Sequence, residues 1–316
     1  MRIFNQKQFI KKLIACSPRQ LEGETRAGKL ICAALKKNNI PFTLEYFTVP
    51  VPKILKAKLA ADGKNIDCKA CSFVGGKIRG KEKIISSMFH YDSDETESPN
   101  ININPYSEEI SCVTHYFSPA LAIAPKNIAQ IIRAKKVLGE VKIKKTFHQS
   151  FNILVGNTKN PKTIFFNHYD SVNMGAYDNA SGVSATMDAI VSHPNIIKNN
   201  LFIFAGAEEI SYDKPIYWAY GYRAFEKKHL NILKKAKKII VVDCVGAGLS
   251  SLSNDSAFIY QAFPIKNIRT LGKKIFGLHS SFEKLLPVYH SDLDDGAMLT
   301  EHFLKQASRI IINQSL

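Results

Sequence analysis

Seven side chains able to bind metal or move protons recur in five short segments of this 316-residue chain. The segments are NHYDSV (167–172), GAYDNASGV (175–183), GAEEIS (206–211), VVDCVGAG (241–248) and PVYHSDLDD (287–295). They hold His168, Asp170, Asp178, Glu208, Glu209, Asp243 and His290. Imidazole nitrogen and carboxylate oxygen are donors that zinc accepts. A two-metal hydrolase needs several such groups to converge, with its ions held about 3.5–4 Å apart. One His or Asp after an apolar run is usually a cap or a satisfied core group, but five such segments in register are hard to explain as capping. The adjacent Glu208 and Glu209 would by themselves read as a helix start, where acids suit the positive dipole end. Among the other motifs they read as catalytic. Asn179 and Ser181 suit a helix cap, and Gly182 suits a close helix–strand approach. Asp292, Asp294 and Asp295 read either as a partner for the His290 ring or as helix-start acids.

These groups need a scaffold, and the pattern from about residue 151 supplies one. FNILVG and KTIFFNHYD read as strands, 179–192 as a helix, LFIFAGAEE as a strand, about 219–229 as a helix and IIVVDCVGAG as a strand, with one or two closing helices over about 294–313. The near-continuous apolar runs at 164–167, 201–206 and 239–242 fit a sheet covered on both faces. In such open sheets, reactive groups gather at the carboxyl ends of the strands. Upstream lie an amphipathic helix bearing Phe9, Ile10, Leu13 and Ile14, a helix over 20–38 and a strand over 41–48. Between about 50 and 145 the composition changes to short β-prone pieces, including KIISSMF (83–89), separated by polar turns such as 92–109 and interrupted by one helix at about 126–137. The expected fold class is α/β, with a mixed, largely parallel central sheet flanked by helices and a small β-rich inserted domain. Residues 1–49 and 146–316 form the expected catalytic domain, and residues 50–145 the insertion.

Bulk properties narrow the function classes. The longest apolar stretches, such as LFIFAGA (201–207), are too short to cross a bilayer. Lys11 and Lys12 break the N-terminal apolar run, and no small-residue cleavage site follows, so a cytoplasmic protein is expected. The six cysteines are accordingly expected as reduced thiols, and Cys68-x-x-Cys71 has no evident further zinc ligands. The net charge of +16 comes mostly from lysines over 131–145 and 225–238. Aromatics are not interleaved with them as a stacking platform requires, so neither nucleic acid nor membrane is an expected partner. The remaining histidines, 90, 115, 148, 193, 229, 279 and 302, fit no ligand pattern and are assigned to surface or packing.

The H-x-D-S, G-A-x-D-N-A-S-G-V, A-E-E, hydrophobic-D and late P-x-x-H segments, in this order, resemble the di-zinc aminopeptidase family. That family includes secreted bacterial leucyl aminopeptidases and has glutaminyl cyclase and the transferrin receptor ectodomain as relatives. The resemblance covers about 151–313 and extends to the lead-in at 1–48, while 50–145 is similar to protease-associated domains. It implies two zinc ions, with Co2+ or Mn2+ as substitutes. His168 and Asp243 would bind one ion and Glu209 and His290 the other, with Asp178 bridging. Asp170 would fix the His168 tautomer, Glu208 would act as general base, and the peptide bond after Asp178 would be cis. The implied reaction is aminopeptidase hydrolysis of peptides with a free N-terminus, in a chain that can form homo-oligomers.

Two features depart from the family or offer alternatives. The segment ISYDKPIYWAYGYRAF (210–225) replaces a glycine-rich turn with aromatics around Pro215. Trp218 or a neighbouring tyrosine either shapes a side-chain pocket or packs the helix. Carboxypeptidase chemistry would need a cation for the substrate carboxylate, for which Arg223 is a candidate. Cyclase relatives use a single zinc, whereas the ligand positions of both ions are filled here. Non-enzymatic binding relatives have lost ligands that this chain retains.

Overall fold

The structure is a computed structural model and describes residues 4–80, 84–87, 98–214 and 216–316. The strand expected at 83–89 and the turn at 92–109 lie partly outside these residues, and His90 and Pro215 wholly so.

The chain begins with helices α1 (Gln6–Ile14) and α2 (Glu22–Lys37) and strand β1 (Thr43–Ala61). Short strands follow: β2 (Lys64–Ile66), β3 (Lys69–Ala70), β4 (Gly76–Arg79), β5 (Ile84–Ser86), β6 (Asn100–Ile103) and β7 (Ala120–Ala122). Helix α3 (Ile128–Arg133) and the long strand β8 (Val137–Gly156) come next. The remainder alternates: β9 (Thr163–His168), α4 (Ser181–Ser192), β10 (Asn200–Ala205), α5 (Tyr220–Lys235), β11 (Lys238–Val242), β12 (Ser251–Ser253), α6 (Ser256–Ala262), α7 (Ile268–Leu271), β13 (Ile275–His279) and α8 (Glu301–Ser315). These elements divide into two compact units. The larger comprises Met1–Val49, Gln149–Leu285 and Asp294–Leu316, and the smaller Pro50–His148 and Leu286–Leu293.

In the larger unit the strands run in the order β12-β13-β11-β9-β10-β8. Strands β10 and β11 flank β9 in parallel, with Thr163 opposite both Asn200 and Lys238, and β13 continues the parallel set beside β11. The edges are antiparallel: β10 with β8 and β12 with β13. All residues of β9 and β10 are buried, and apart from Thr163, Asn167, His168 and Asn200 at or near the strand ends their side chains are apolar on both faces. Phe166, Ile203 and Val241 face Tyr222, Phe225 and Phe263 in one core cluster. Helix α4 packs against α1 and α8, and Phe9, Ile10 and Leu13 are the buried apolar positions of α1. The architecture is therefore the mixed, largely parallel α/β sheet flanked by helices that the sequence predicts, accompanied by a small second sheet.

That second sheet, β3-β7-β6-β5, belongs to the smaller unit, whose core gathers Leu59, Ile78, Ile101, Leu121, Ile131 and Val141. Strands β1 and β2 form a hairpin across Asp62 and Gly63, both with positive φ (47° and 80°). This is the two-residue Asp-Gly connection whose twist matches that of the strands. The basic stretch over 131–145 resolves into the end of α3 and the start of β8, where burial alternates residue by residue from Val137 to Lys142. Residues 251–279, unread in the sequence pattern, supply β12, α6, α7 and β13.

Candidate metal centre

Strands β11, β9 and β10 are adjacent and parallel, so their carboxyl ends open on one edge of the sheet. His168 is the last residue of β9, Glu208 and Glu209 follow the end of β10, and Asp243 directly follows β11. Ala207 (φ 50°) and Cys244 (φ 51°) adopt left-handed backbone there, rare for residues with a Cβ, and turn the chain out of strand geometry. Asp178 comes from the irregular turn Ala176–Ala180 ahead of α4, entered through Gly175 at φ 62°. A Cβ on Gly175 would lie 2.4 Å from that of Ser171, so only glycine fits this entry. The Asp178–Asn179 peptide bond is cis, as the resemblance implies. Asn179 Oδ1 accepts the Gly182 N–H at 3.0 Å, and Asn179 Nδ2 donates to the Val242 carbonyl at 2.9 Å, which ties the start of α4 to β11. A Cβ on Gly182 would sit 2.3 Å from Asn179 Oδ1 and 2.8 Å from the Val242 carbonyl of β11, the latter being the close helix–strand approach the sequence suggests.

His168, Asp178 and Glu209, all buried, each offer one ligand atom within 4.8 Å of the others. His168 Nε2 lies 3.1 Å from Asp178 Oδ1 and 3.8 Å from Asp243 Oδ1. Its Nδ1 faces Asp170 Oδ1 at 3.5 Å. Asp170 does more than face this ring: Oδ1 accepts the Glu208 N–H and Oδ2 the Glu209 N–H, each at 3.0 Å, and Gln20 Nε2 donates to Oδ2 at 3.3 Å. The backbone of the Glu208–Glu209 pair thus hangs from one buried carboxylate.

A second buried carboxylate does the same for Asp178. Asp294 Oδ1 accepts the Tyr177 N–H at 2.6 Å, and Oδ2 accepts the Asp178 N–H at 3.0 Å. Asp294 therefore braces the Asp178 turn. Asp292 pairs instead with Lys69 at 2.7 Å, and Asp295 accepts the Ala297 N–H at 2.8 Å. Arg19 is fully buried and donates to the carbonyls of Tyr169 (2.6 Å), Met174 (2.8 Å) and Gly175 (2.8 Å). Its guanidinium holds the loop between His168 and Asp178. Arg19 does not stand out in the sequence, and Asp294 does so only as one of three acids near His290, because their roles depend on burial and hydrogen bonds to distant backbone.

The electrostatics follow from this crowding. Burial opposes charge on the His168 ring, but Glu208 and the nearby carboxylates of Asp170, Asp178 and Asp243 outweigh it and push its pKa well above the ordinary value. Burial, with Glu209, Asp170 and Asp243 adding to it and His168 opposing, pushes the Glu208 carboxyl well above the usual range. Asp294 is pushed up to about 7, chiefly by burial. Burial and the neighbouring Asp243, Asp178 and Asp294 raise the Cys244 thiol. Burial pulls the Arg19 guanidinium down, while Asp170, Asp294, Glu209 and Asp178 favour its charge. Asp243 Oδ1 is buried and makes no hydrogen bond. A buried set of oxygen and imidazole donors, with an acceptor left unsatisfied, fits a divalent cation.

His290 lies in the smaller unit, where the backbone is left-handed at φ 49°. Its Nδ1 lies 3.1 Å from the Cys112 carbonyl, and the Cys112 N–H donates to the His290 carbonyl at 3.0 Å. A carbonyl can only accept, so in the neutral ring Nδ1 carries the proton and Nε2 the lone pair. Metal-binding histidines characteristically use this tautomer lock.

Other expected positions resolve differently. Arg223 is committed to Asp213 (3.0 Å), the Ile216 carbonyl (3.0 Å) and the Pro264 carbonyl (3.3 Å). Tyr222 packs in the core, Trp218 Nε1 donates to the Gln261 carbonyl at 2.7 Å, and Ser211 N–H closes the loop onto the Tyr217 carbonyl at 2.7 Å. No helix among the described residues is long and apolar enough to cross a membrane.

Residues 152–256 match the sequence profile of peptidase family M28. No curated protein matches the chain by sequence. Among solved structures, a zinc aminopeptidase from Bacillus subtilis is similar with 17% identity and a TM-score of 0.71, over 98% of this chain and 94% of that one. A Peptidase M28 precursor from Shewanella amazonensis has 15% identity and a TM-score of 0.71, over 98% and 92%. Glutaminyl cyclase from Porphyromonas gingivalis has 12% identity and a TM-score of 0.53, over 99% and 98%. At these identities the likeness establishes the fold.

Proposed function

We propose that this chain, with its family M28 segment and peptidase fold, is a zinc-dependent exopeptidase that removes the N-terminal residue of peptides. The observation carrying this reading is the buried group of His168, Asp178 and Glu209, whose ligand atoms lie within 4.8 Å of one another. In this reading His168 and Asp243 would hold one zinc ion and Glu209 and His290 a second, with Asp178 available to both. When bound, the ions polarise the scissile carbonyl and make water a stronger acid. Co2+ or Mn2+ would substitute, since the donor set is oxygen and imidazole.

The chain's own groups handle the proton. Glu208, its affinity for protons raised by burial, accepts one from the attacking water and returns it to the departing amine nitrogen. Asp170 positions this base through the Glu208 N–H while facing the His168 ring. Asp294 and Arg19 keep the Asp178 turn in place through backbone contacts. The carboxypeptidase alternative loses its anchor, because the Arg223 guanidinium is spent on Asp213 and two carbonyls. The proposed substrates are cytoplasmic peptides with a free N-terminus.

The test uses the full chain loaded with zinc and a panel of aminoacyl chromogenic substrates, each with a free or an acetylated amine. Cleavage of the free-amine members alone is expected, in protein carrying bound zinc. Equal cleavage of acetylated members would remove the aminopeptidase assignment, and a zinc-loaded chain inactive on the whole panel would remove the exopeptidase one.

A further inference from the structure

The metal centre has a ligand candidate that the family pattern does not call for. Asp178, Asp243 and Cys244 form a second group in which one ligand atom from each lies within 4.8 Å of the others. Successive side chains of a strand point to opposite faces, so Asp243 and Cys244 would ordinarily diverge. The left-handed backbone at Cys244 (φ 51°) breaks that alternation. The backbone is pinned on both sides: Asp243 N–H donates to the Leu278 carbonyl at 3.0 Å, Ser280 N–H to the Cys244 carbonyl at 2.9 Å, and Val245 N–H to Ser181 Oγ at 3.2 Å. Cys244 is buried, and the neighbouring Asp243 Oδ1 is a buried acceptor with no hydrogen bond.

We propose that Cys244 is a sulfur ligand of the ion held by Asp178 and Asp243, making this a mixed sulfur, oxygen and nitrogen centre. The proposal rests on the metal-binding reading above. Coordination releases the thiol proton to solvent and uses a sulfur lone pair, and nothing is oxidised or reduced. A thiolate softens an otherwise hard donor set, so the site would take cadmium, cobalt and zinc more readily than an all-oxygen and imidazole site.

Cobalt provides the test. Full-length protein stripped with chelator and reloaded with Co2+ is expected to show visible d–d bands together with a near-ultraviolet sulfur-to-cobalt charge-transfer band. Cys244→Ser should keep the d–d bands and lose the charge-transfer band, and Cys32→Ser should keep both. Cobalt d–d bands without the charge-transfer band in the unmodified chain would overturn the sulfur ligand, with no dependence on how a variant folds. So would a charge-transfer band that survives in Cys244→Ser. If cobalt produced no d–d bands at all, the metal-centre reading would itself fail and the sulfur ligand with it.

Discussion

Replacing Asp170 by Asn tests the scaffold beneath the metal centre most sharply. The carboxylate accepts the Glu208 and Glu209 N–H groups at 3.0 Å each, one on each oxygen, and faces His168 Nδ1 at 3.5 Å. An amide has a single acceptor oxygen, so its NH2 must oppose either the Glu209 N–H or, in the flipped orientation, both the Glu208 N–H and the His168 ring. A hydrogen bond to a charged group contributes about 1.5–3 kcal/mol, and a buried donor left unsatisfied costs about 1–3 kcal/mol. Removing one negative charge from among Asp178, Glu208, Glu209 and Asp243 offsets part of this, so a net destabilisation of about 1–3 kcal/mol follows. The functional loss should be larger, because groups that orient metal ligands typically account for about 10–100-fold in affinity or activity. The measurements are thermal unfolding, zinc affinity by chelator competition, and kcat at saturating zinc. A lower kcat at saturating zinc is the decisive result, since it shows the Glu208 backbone misplaced and not merely the metal lost. If zinc affinity and kcat both stayed within about twofold of the unmodified chain, Asp170 would not be the positioning group.

Three further outcomes are expected. Glu208→Gln should retain zinc and lose about a hundredfold or more in kcat, as removal of a general base does; loss of the metal would make Glu208 a ligand instead. Gly182→Ala should lower stability by about 1–3 kcal/mol in chemical denaturation, because the added Cβ would meet Asn179 Oδ1 at 2.3 Å and the Val242 carbonyl at 2.8 Å; an unchanged midpoint would show that the contact is not tight. His115, pulled down to about 3 by burial and by His290, is neutral when folded, whereas the unfolded ring takes up a proton below about 6.5. Its contribution is thus present above that pH and lost as pH falls toward 3, by as much as ~4–5 kcal/mol, so denaturation midpoints of His115→Phe should fall less steeply between about pH 7 and 4, and equal slopes would refute it.

Much of the sheet was legible because a strand buried on both faces has to be apolar throughout, and 164–167, 201–206 and 239–242 announce themselves that way. The start of the helix after Asp178 was legible from Asn179, whose capping of the Gly182 N–H is local chemistry. The full lengths of β1 and β8 were not, because lysines and alternating burial blur a long strand into short pieces. The stretch over 251–279 gave no clear period, since β12 and β13 are only 3 and 5 residues long and lie among short helices.

The residue types alone determined which chemistry was available: imidazoles and carboxylates placed at the ends of apolar strands are metal and proton chemistry wherever the strands align. Tertiary structure alone decided which groups support them. Asp294 reads in sequence as a possible partner of His290 four residues earlier, yet it accepts the backbone of Tyr177 and Asp178 more than a hundred positions away. Arg19 sits in an unremarkable turn, yet it is fully buried against the Tyr169–Gly175 loop. Cys244 is next to Asp243 in any reading, but only a left-handed backbone directs both toward Asp178. A sequence pattern records what each residue can donate or accept. The partner it meets depends on where the chain returns after folding, and no local period encodes that.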